Sequence, residues 1–154
     1  MIATFFENYG YDIDKIYSSP YLRAIETIKP YANRNHIPIE IDQRLQERVL
    51  SEEPIDDWIE VLEKSFSDLD FRLPGGESSN DALDRSSHLI DEILTNESIE
   101  NVIIVTHGNL LAILLKKFQA DIGFSHWKGF TNPDLFLVQK TAGEYVVERL
   151  WQDE

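Results

Sequence analysis

No cysteine occurs among the 154 residues. This excludes a disulfide framework and a thiolate metal site, and fits a cytoplasmic address. Basic residues are scarce: 14 Lys and Arg stand against 28 Asp and Glu, a formal net charge of −14. With no basic face to displace counterions, the chain is not expected to bind nucleic acid. No apolar run is long enough to span a bilayer, and the start carries no signal-peptide pattern, so no membrane partner is expected. No His/Asp/Glu cluster has ligand spacing, so neither a metal nor another cofactor is expected. There is no internal repeat, linker or low-complexity segment. What remains, 42% hydrophobic and 27% charged, is an ordinary globular composition. A chain of this length reads as one domain, residues 1–154, with a real core.

The organising stretch is residues 101–115. Val102-Ile103-Ile104-Val105 is a short β-branched run suited to a strand buried on both faces of a parallel sheet. From Leu110 the apolar residues continue at helical length and end at Lys116-Lys117, cations suited to a helix C-terminus. Thr106-His107-Gly108 is then a strand-to-helix turn. It places His107 at the carboxyl end of a central strand, where open α/β sheets bind ligands. Backbone N–H groups from Gly108 onward would face the same spot, a ready anion site. An imidazole beside a helix N-terminus points to phosphate chemistry; a turn histidine with no chemistry is the equally open alternative.

From the start, residues 1–9 put Ile2, Phe5, Phe6 and Tyr9 on one helical face with Gly10 as C-cap, and Thr4 with Glu7 as an alternative capping box. Residues 15–18 read as a strand, with Ser19-Pro20 as N-cap and first residue of the next helix. Leu22, Ile25, Ile28 and Ala32 would face inward, with Pro30 kinking that helix. Arg23 lies one turn inside, a geometry suited to bidentate phosphate recognition. Taken alone it reads more readily as a solvated arginine, loosely paired with Glu26. Residues 37–41 form a second strand, placed at an edge by Pro38. Leu45-Gln46-Glu47-Arg48 is a loop or short turn, and residues 54–66 an amphipathic helix. Gly75-Gly76-Glu77-Ser78 is a tight loop. Residues 79–94 form a helix with Leu83, Ile90, Ile93 and Leu94 as its core stripe and His88 at the surface. Residues 120–132 read as irregular, and 135–138 with 145–150 as a closing hairpin. The expected class is α/β, a three-layer sandwich with a mostly parallel sheet.

Four of these pieces occur in the order of a known family. Tyr17-Ser18-Ser19-Pro20-Tyr21-Leu22-Arg23-Ala24-Ile25-Glu26-Thr27 resembles the SSPLxRAxxT segment of the histidine phosphatase (phosphoglycerate mutase-like) superfamily. Leu45-Gln46-Glu47 resembles its LxE segment, Gly76-Glu77-Ser78 its GES loop, and Val105-Thr106-His107-Gly108 its second histidine motif. The resemblance implies phosphomonoester hydrolysis or phosphoryl transfer through a phosphohistidine, with a phosphorylated small molecule or inorganic phosphate as partner. It implies Arg23, His107 and Gly108 as phosphate-binding groups, Glu47 and His107 as catalytic groups, and Ser78 as a further candidate. Such chemistry rests on positioning and charge stabilisation, with an acid to meet the leaving alkoxide.

One family motif is missing. The nucleophile belongs to an Arg-His-Gly on the first strand, and none of His36, His88, His107 and His126 stands between Arg and Gly. The resemblance implies that roughly thirty or more residues, about a strand plus crossover, are absent. The chain as given is therefore expected to be inactive, either a truncated phosphatase or mutase or a pseudoenzyme that binds phosphorylated ligands or a partner protein. Without a central strand, residues 15–18 and 102–105 would lose a neighbour; the two strands can close onto each other, or, since unpaired strand edges invite association, pair or exchange elements between copies. The expected outcome is a homodimer in dilute solution, checked by sedimentation; a stable monomer at micromolar concentration with a cooperative thermal transition would contradict it.

Overall fold

The computed structural model describes residues 2–151. The chain forms two compact units, Met1–Glu47 with Arg85–His107, and Arg48–Asp84 with Gly108–Glu154. The class is α/β with a parallel sheet, as expected.

The first unit opens with helix α1 (Ile2–Tyr9), which Gly10 ends at φ +81°. Thr4 lies inside this helix, so the Thr4–Glu7 capping box does not form; Glu7 instead pairs with Arg34 at 2.9 Å. Strand β1 (Lys15–Ser18) runs between strands β2 (Ile39–Ile41) and β3 (Val102–Val105), parallel to both. β2 is an edge strand, as Pro38 indicated, although Pro38 itself precedes it. β3 departs from expectation. It pairs only with β1, so the central strand is β1, and of the four β3 residues only Ile103 is buried. No strand stands between β1 and β3; the two close onto each other. Lys15, Ile16, Tyr17 and Ser18 face Val102, Ile103, Ile104 and Val105 directly.

Both ends of this pairing are stapled. At the entry the Asp14 carboxylate accepts the N–H groups of Glu100 and Asn101, each at 2.8 Å, while Asp14 N–H donates to the Asn101 carbonyl. The Asn101 and Glu100 N–H groups hold the Asp14 carboxyl below its ordinary range. At the exit Ser19 N–H donates to the Val105 carbonyl at 2.9 Å. Matched backbone donors and acceptors at both ends disfavour a slip of register, which would orphan them.

Helix α2 (Leu22–Asn35) lies against all three strands. It buries Ala24, Ile28, Tyr31 and Ala32, whereas Leu22 is 68% exposed. The helix starts at Leu22, not at Pro20, so the inward stripe begins later and Leu22 falls in the solvated first turn. Tyr21 occupies the N-cap position without a side-chain bond, and Ser19 has another use described below. Pro30 lies inside the helix. His36 ends it in the left-handed conformation, its N–H on the carbonyls of Ala32 and Asn33. A 3-10 turn, Gln43–Leu45, follows β2 and buries Leu45 completely.

In the second unit helix α3 (Trp58–Ser67) starts later than expected, with Asp57 at its N-cap position. Gly75 and Gly76 form the tight loop. A Cβ on Gly76 would stand 2.2 Å from the Leu50 carbonyl oxygen, so only glycine fits there. Helix α4 (Ser79–Leu94), which both units share, buries Ala82, Leu89, Ile90 and Ile93, whereas Leu94 is exposed. Helix α5 (Gly108–Lys116) is buried along most of its length. Helix α6 (Phe124–Lys128) occupies a stretch that read as irregular; its five residues are too few to show a helical period. Strands β4 (Phe136–Thr141) and β5 (Glu144–Arg149) form the expected antiparallel hairpin. No helix among the described residues is long and apolar enough to cross a membrane.

Ile16, wholly buried at the middle of the central strand, is the most sensitive position of the sheet. Ile16→Ala is expected to destabilise the chain by about 2–5 kcal/mol, read from urea unfolding. A loss under about 0.5 kcal/mol, typical of surface substitutions, would mean that the strand is not central.

Candidate active site

The carboxyl ends of β1 and β3 deliver two segments to one place. β1 leads into Ser19-Pro20-Tyr21 and the first turn of α2, while β3 leads through Thr106 to His107, the residue before α5. Because Ser18 pairs with Val105, Ser19 and His107 are brought within reach. The His107 ring is 8% exposed. Its Nε2 lies 2.7 Å from Ser19 Oγ and its Nδ1 3.5 Å from Arg23 Nη2. Tyr21 covers one side with ring centroids 4.9 Å apart, and the Arg23 guanidinium sits 5.5 Å from the Tyr21 ring centroid.

Ser19 Oγ, wholly buried, accepts the Tyr21 N–H at 3.3 Å and shares a hydrogen bond with His107 Nε2. A serine hydroxyl both donates and accepts, so either ring tautomer can complete that bond. Burial, with the Arg23 charge second, pushes the imidazole down to about 4. At neutral pH the ring is therefore uncharged, and Arg23, which is exposed at the end of the site, supplies the local positive charge.

The segment carrying Glu47 is held by its backbone. Three successive carbonyls accept side-chain bonds: Arg44 from Arg85 Nη1 at 2.8 Å, Leu45 from Thr106 Oγ1 at 2.8 Å, and Gln46 from Arg85 Nη2 at 2.9 Å. Arg44 in turn forks onto Asp42 and Glu92 at 2.8–3.0 Å. Its hydrogen bonds hold both carboxyls below their ordinary ranges and raise its own already high value. Thr106 thus ties the residue before His107 to the turn before Glu47.

Of the residues singled out in the sequence, Arg23 and His107 meet. Glu47 is half-buried just beyond the pinned turn. Gly108 opens α5. Ser78 is buried and caps α4: its hydroxyl accepts the Asp81 N–H and the Asp81 carboxylate accepts the Ser78 N–H, each at 3.0 Å. Sequence reasoning missed Ser19 and Tyr21 as neighbours of His107, and missed Thr106 and Arg85. The Ser-Ser-Pro run was the one available signal for Ser19, and it read as a helix cap. Among the described residues no group of three His, Cys, Asp or Glu could hold a metal ion.

The family model described as histidine phosphatase superfamily (branch 1) matches residues 2–152. Among curated proteins, none matches the chain significantly. Among solved structures, mycobacterial glucosyl-3-phosphoglycerate phosphatase is 20% identical with a TM-score of 0.75, covering 96% of this chain and 80% of that one. Bacillus stearothermophilus YhfR is 23% identical with a TM-score of 0.71, covering 96% of this chain and 78% of that one. The alpha-ribazole phosphatase of Shigella flexneri is 17% identical with a TM-score of 0.66, covering 90% and 73%. The mycobacterial phosphatase has been solved with inorganic phosphate and with VO3.

The ring environment sets a titration. In the unfolded chain a histidine takes up its proton near 6.5, whereas in the folded chain His107 does so only near 4. The neutral ring therefore stabilises the fold fully above about pH 6.5, and that contribution is lost as pH falls toward 4. NMR of the ring protons is expected to give a midpoint near 4. In Arg23→Ala the midpoint should rise yet stay below the ordinary value, since burial is the larger cause. A wild-type midpoint at the ordinary value would show the ring to be solvated.

Proposed function

The chain belongs to the histidine phosphatase superfamily, and from that premise we propose that it binds phosphomonoesters or inorganic phosphate at Arg23 and His107. The observation that carries this reading is the approach of Arg23 Nη2 to His107 Nδ1 at the carboxyl ends of two parallel strands. Arg23 offers a planar fork to the equatorial oxygens, and the Gly108 amide follows His107 directly at a helix N-terminus. Glu47 is the former general acid, the group that would meet a leaving oxygen. The phosphate and VO3 complexes of the mycobacterial neighbour support the ligand class, and the family match supports reading residues 1–154 as one functional domain.

Family chemistry runs through a phosphohistidine, and the sequence holds no Arg-His-Gly. The remaining histidines have other surroundings: His36 ends α2, His88 is exposed on α4, and His126 Nδ1 accepts the Gly123 N–H. We therefore assign no phosphoryl acceptor within residues 1–154, and read this chain as one that binds phosphate without turning it over. An in-frame Arg-His-Gly strand encoded upstream would make the natural product a phosphatase or mutase. Its absence there would favour a pseudoenzyme that holds a phosphorylated ligand or a partner protein.

Purified 1–154 is expected to hydrolyse a generic aryl phosphate at background rate while binding inorganic phosphate weakly by calorimetry. Arg23→Ala should weaken that binding about tenfold or more, the usual worth of a charge-assisted hydrogen bond. Turnover abolished by His107→Ala would instead make His107 the nucleophile, and equal binding by wild type and Arg23→Ala would remove Arg23 from the site.

A further inference from the structure

We propose that Trp127 and Trp58 form a subsite beside the start of α5 that selects phosphomonoesters carrying an aromatic group. Trp127 donates its indole N–H to an oxygen of the bound phosphate group, and Trp58 takes the flat face of the ester's ring. This inference rests on the phosphate-binding reading given above, in which the Gly108 amide meets the phosphate.

The subsite is built within the second unit. Helix α6 packs against both α5 and α3, and its Phe124 and Trp127, three residues apart, share one helical face. Their rings stack at 21° with centroids 5.6 Å apart, and Lys128 Nζ stands 5.7 Å from the Phe124 centroid. These contacts hold the Trp127 indole from one side. Trp58, the first residue of α3, meets it edge to face, with centroids 6.0 Å apart and the rings at 89°. Trp58 is 44% exposed. One indole of the pair is therefore held in place while the other presents apolar surface to solvent.

The Trp127 N–H links this cluster to the phosphate position. A Cβ on Gly108 would stand 3.8 Å from Trp127 Nε1. Beyond the glycine's chain neighbours and its own helix, no other atom of the described residues comes within 4 Å of that point. The start of α5 is thus open there and bordered by the indole nitrogen. Trp127 is half-buried, yet among the described residues nothing accepts a hydrogen bond from Nε1. A buried Trp N–H usually has a partner, and an oxygen of a phosphate held at the Gly108 amide is the acceptor this opening admits. A purely structural cluster accounts for neither the unmatched N–H nor the exposed Trp58.

The class of ester follows from the residue types. Ligand sites combine apolar and aromatic walls with a few placed polar groups. Here the walls are three rings, and Trp58, Phe124 and Trp127 supply no acceptor for the hydroxyls of a polyol. An aromatic ring needs none, and ring on ring favours the offset or edge contacts that an exposed indole offers.

The test uses the 154-residue chain with phenyl phosphate, glycerol phosphate and inorganic phosphate, read by proton–nitrogen NMR of the indole groups, NMR of the His107 ring, and calorimetry. All three probes are expected to shift the Trp127 indole N–H, and phenyl phosphate alone the Trp58 indole. Phenyl phosphate should bind about tenfold tighter than glycerol phosphate. Trp127→Phe, which keeps a ring and removes the donor, should weaken all three probes to a similar degree. Trp58→Ala should weaken phenyl phosphate alone. The wild-type spectra decide even where a variant fails to fold. Equal affinity for phenyl and glycerol phosphate, an unmoved Trp58 indole with phenyl phosphate, or an unmoved Trp127 indole while the His107 ring responds to inorganic phosphate each overturns the subsite and leaves the phosphate site standing. If no probe moves the His107 ring, the phosphate site and the subsite fall together.

Discussion

The parallel pairing of β1 with β3 determines where the site groups stand. Four residues of one strand face four of the other, with the Asp14 carboxylate closing the entry and the Ser19–Val105 backbone bond closing the exit. The two residues that follow the pairing, Ser19 on one side and His107 two positions past Val105 on the other, then come within 2.7 Å. Arg23 is one helical turn further and reaches the opposite nitrogen of the same ring. A shift of register by one residue would send each of these side chains to the other face and dissolve the contact.

The charge balance of the site is set by one arginine. The chain carries a net charge of −14, yet the ring beside Arg23 is neutral because it is buried and because the guanidinium opposes a second cation. Arg44 and Arg85 are spent on carboxylates and carbonyls, so they organise the turn before Glu47. With about 8 Å of screening length at physiological ionic strength, the acidic surface does little to repel an anion held at Arg23.

Elements with a strong local signature were legible in the sequence. The bounds of β1, β3 and α4, and the hairpin of β4 with β5, follow from β-branched runs, caps and periodicity. Strand order was not legible, because parallel neighbours are chosen by tertiary packing and β3 carries no mark that makes it terminal in the sheet. The misplaced inward faces of α2 and α4 come from their ends, where Leu22 and Leu94 continue the apolar pattern but are exposed. At the site, Arg23 and His107 could be read because their residue types and neighbouring glycine or proline carry chemical meaning. Ser19 read as a cap because a serine before proline ordinarily is one. Its bond to His107 depends on a strand pairing that the sequence does not declare.

The central claim is that β1 and β3 are immediate neighbours. Nuclear Overhauser contacts between the backbones of Tyr17–Ser18 and Ile104–Val105, with slow hydrogen exchange of the Ser19 amide, test it directly. The account predicts strong contacts along all four pairs and protection of Ser19 N–H. Fast exchange at Ser19, with β1 and β3 showing contacts to other strands and none to each other, would contradict it.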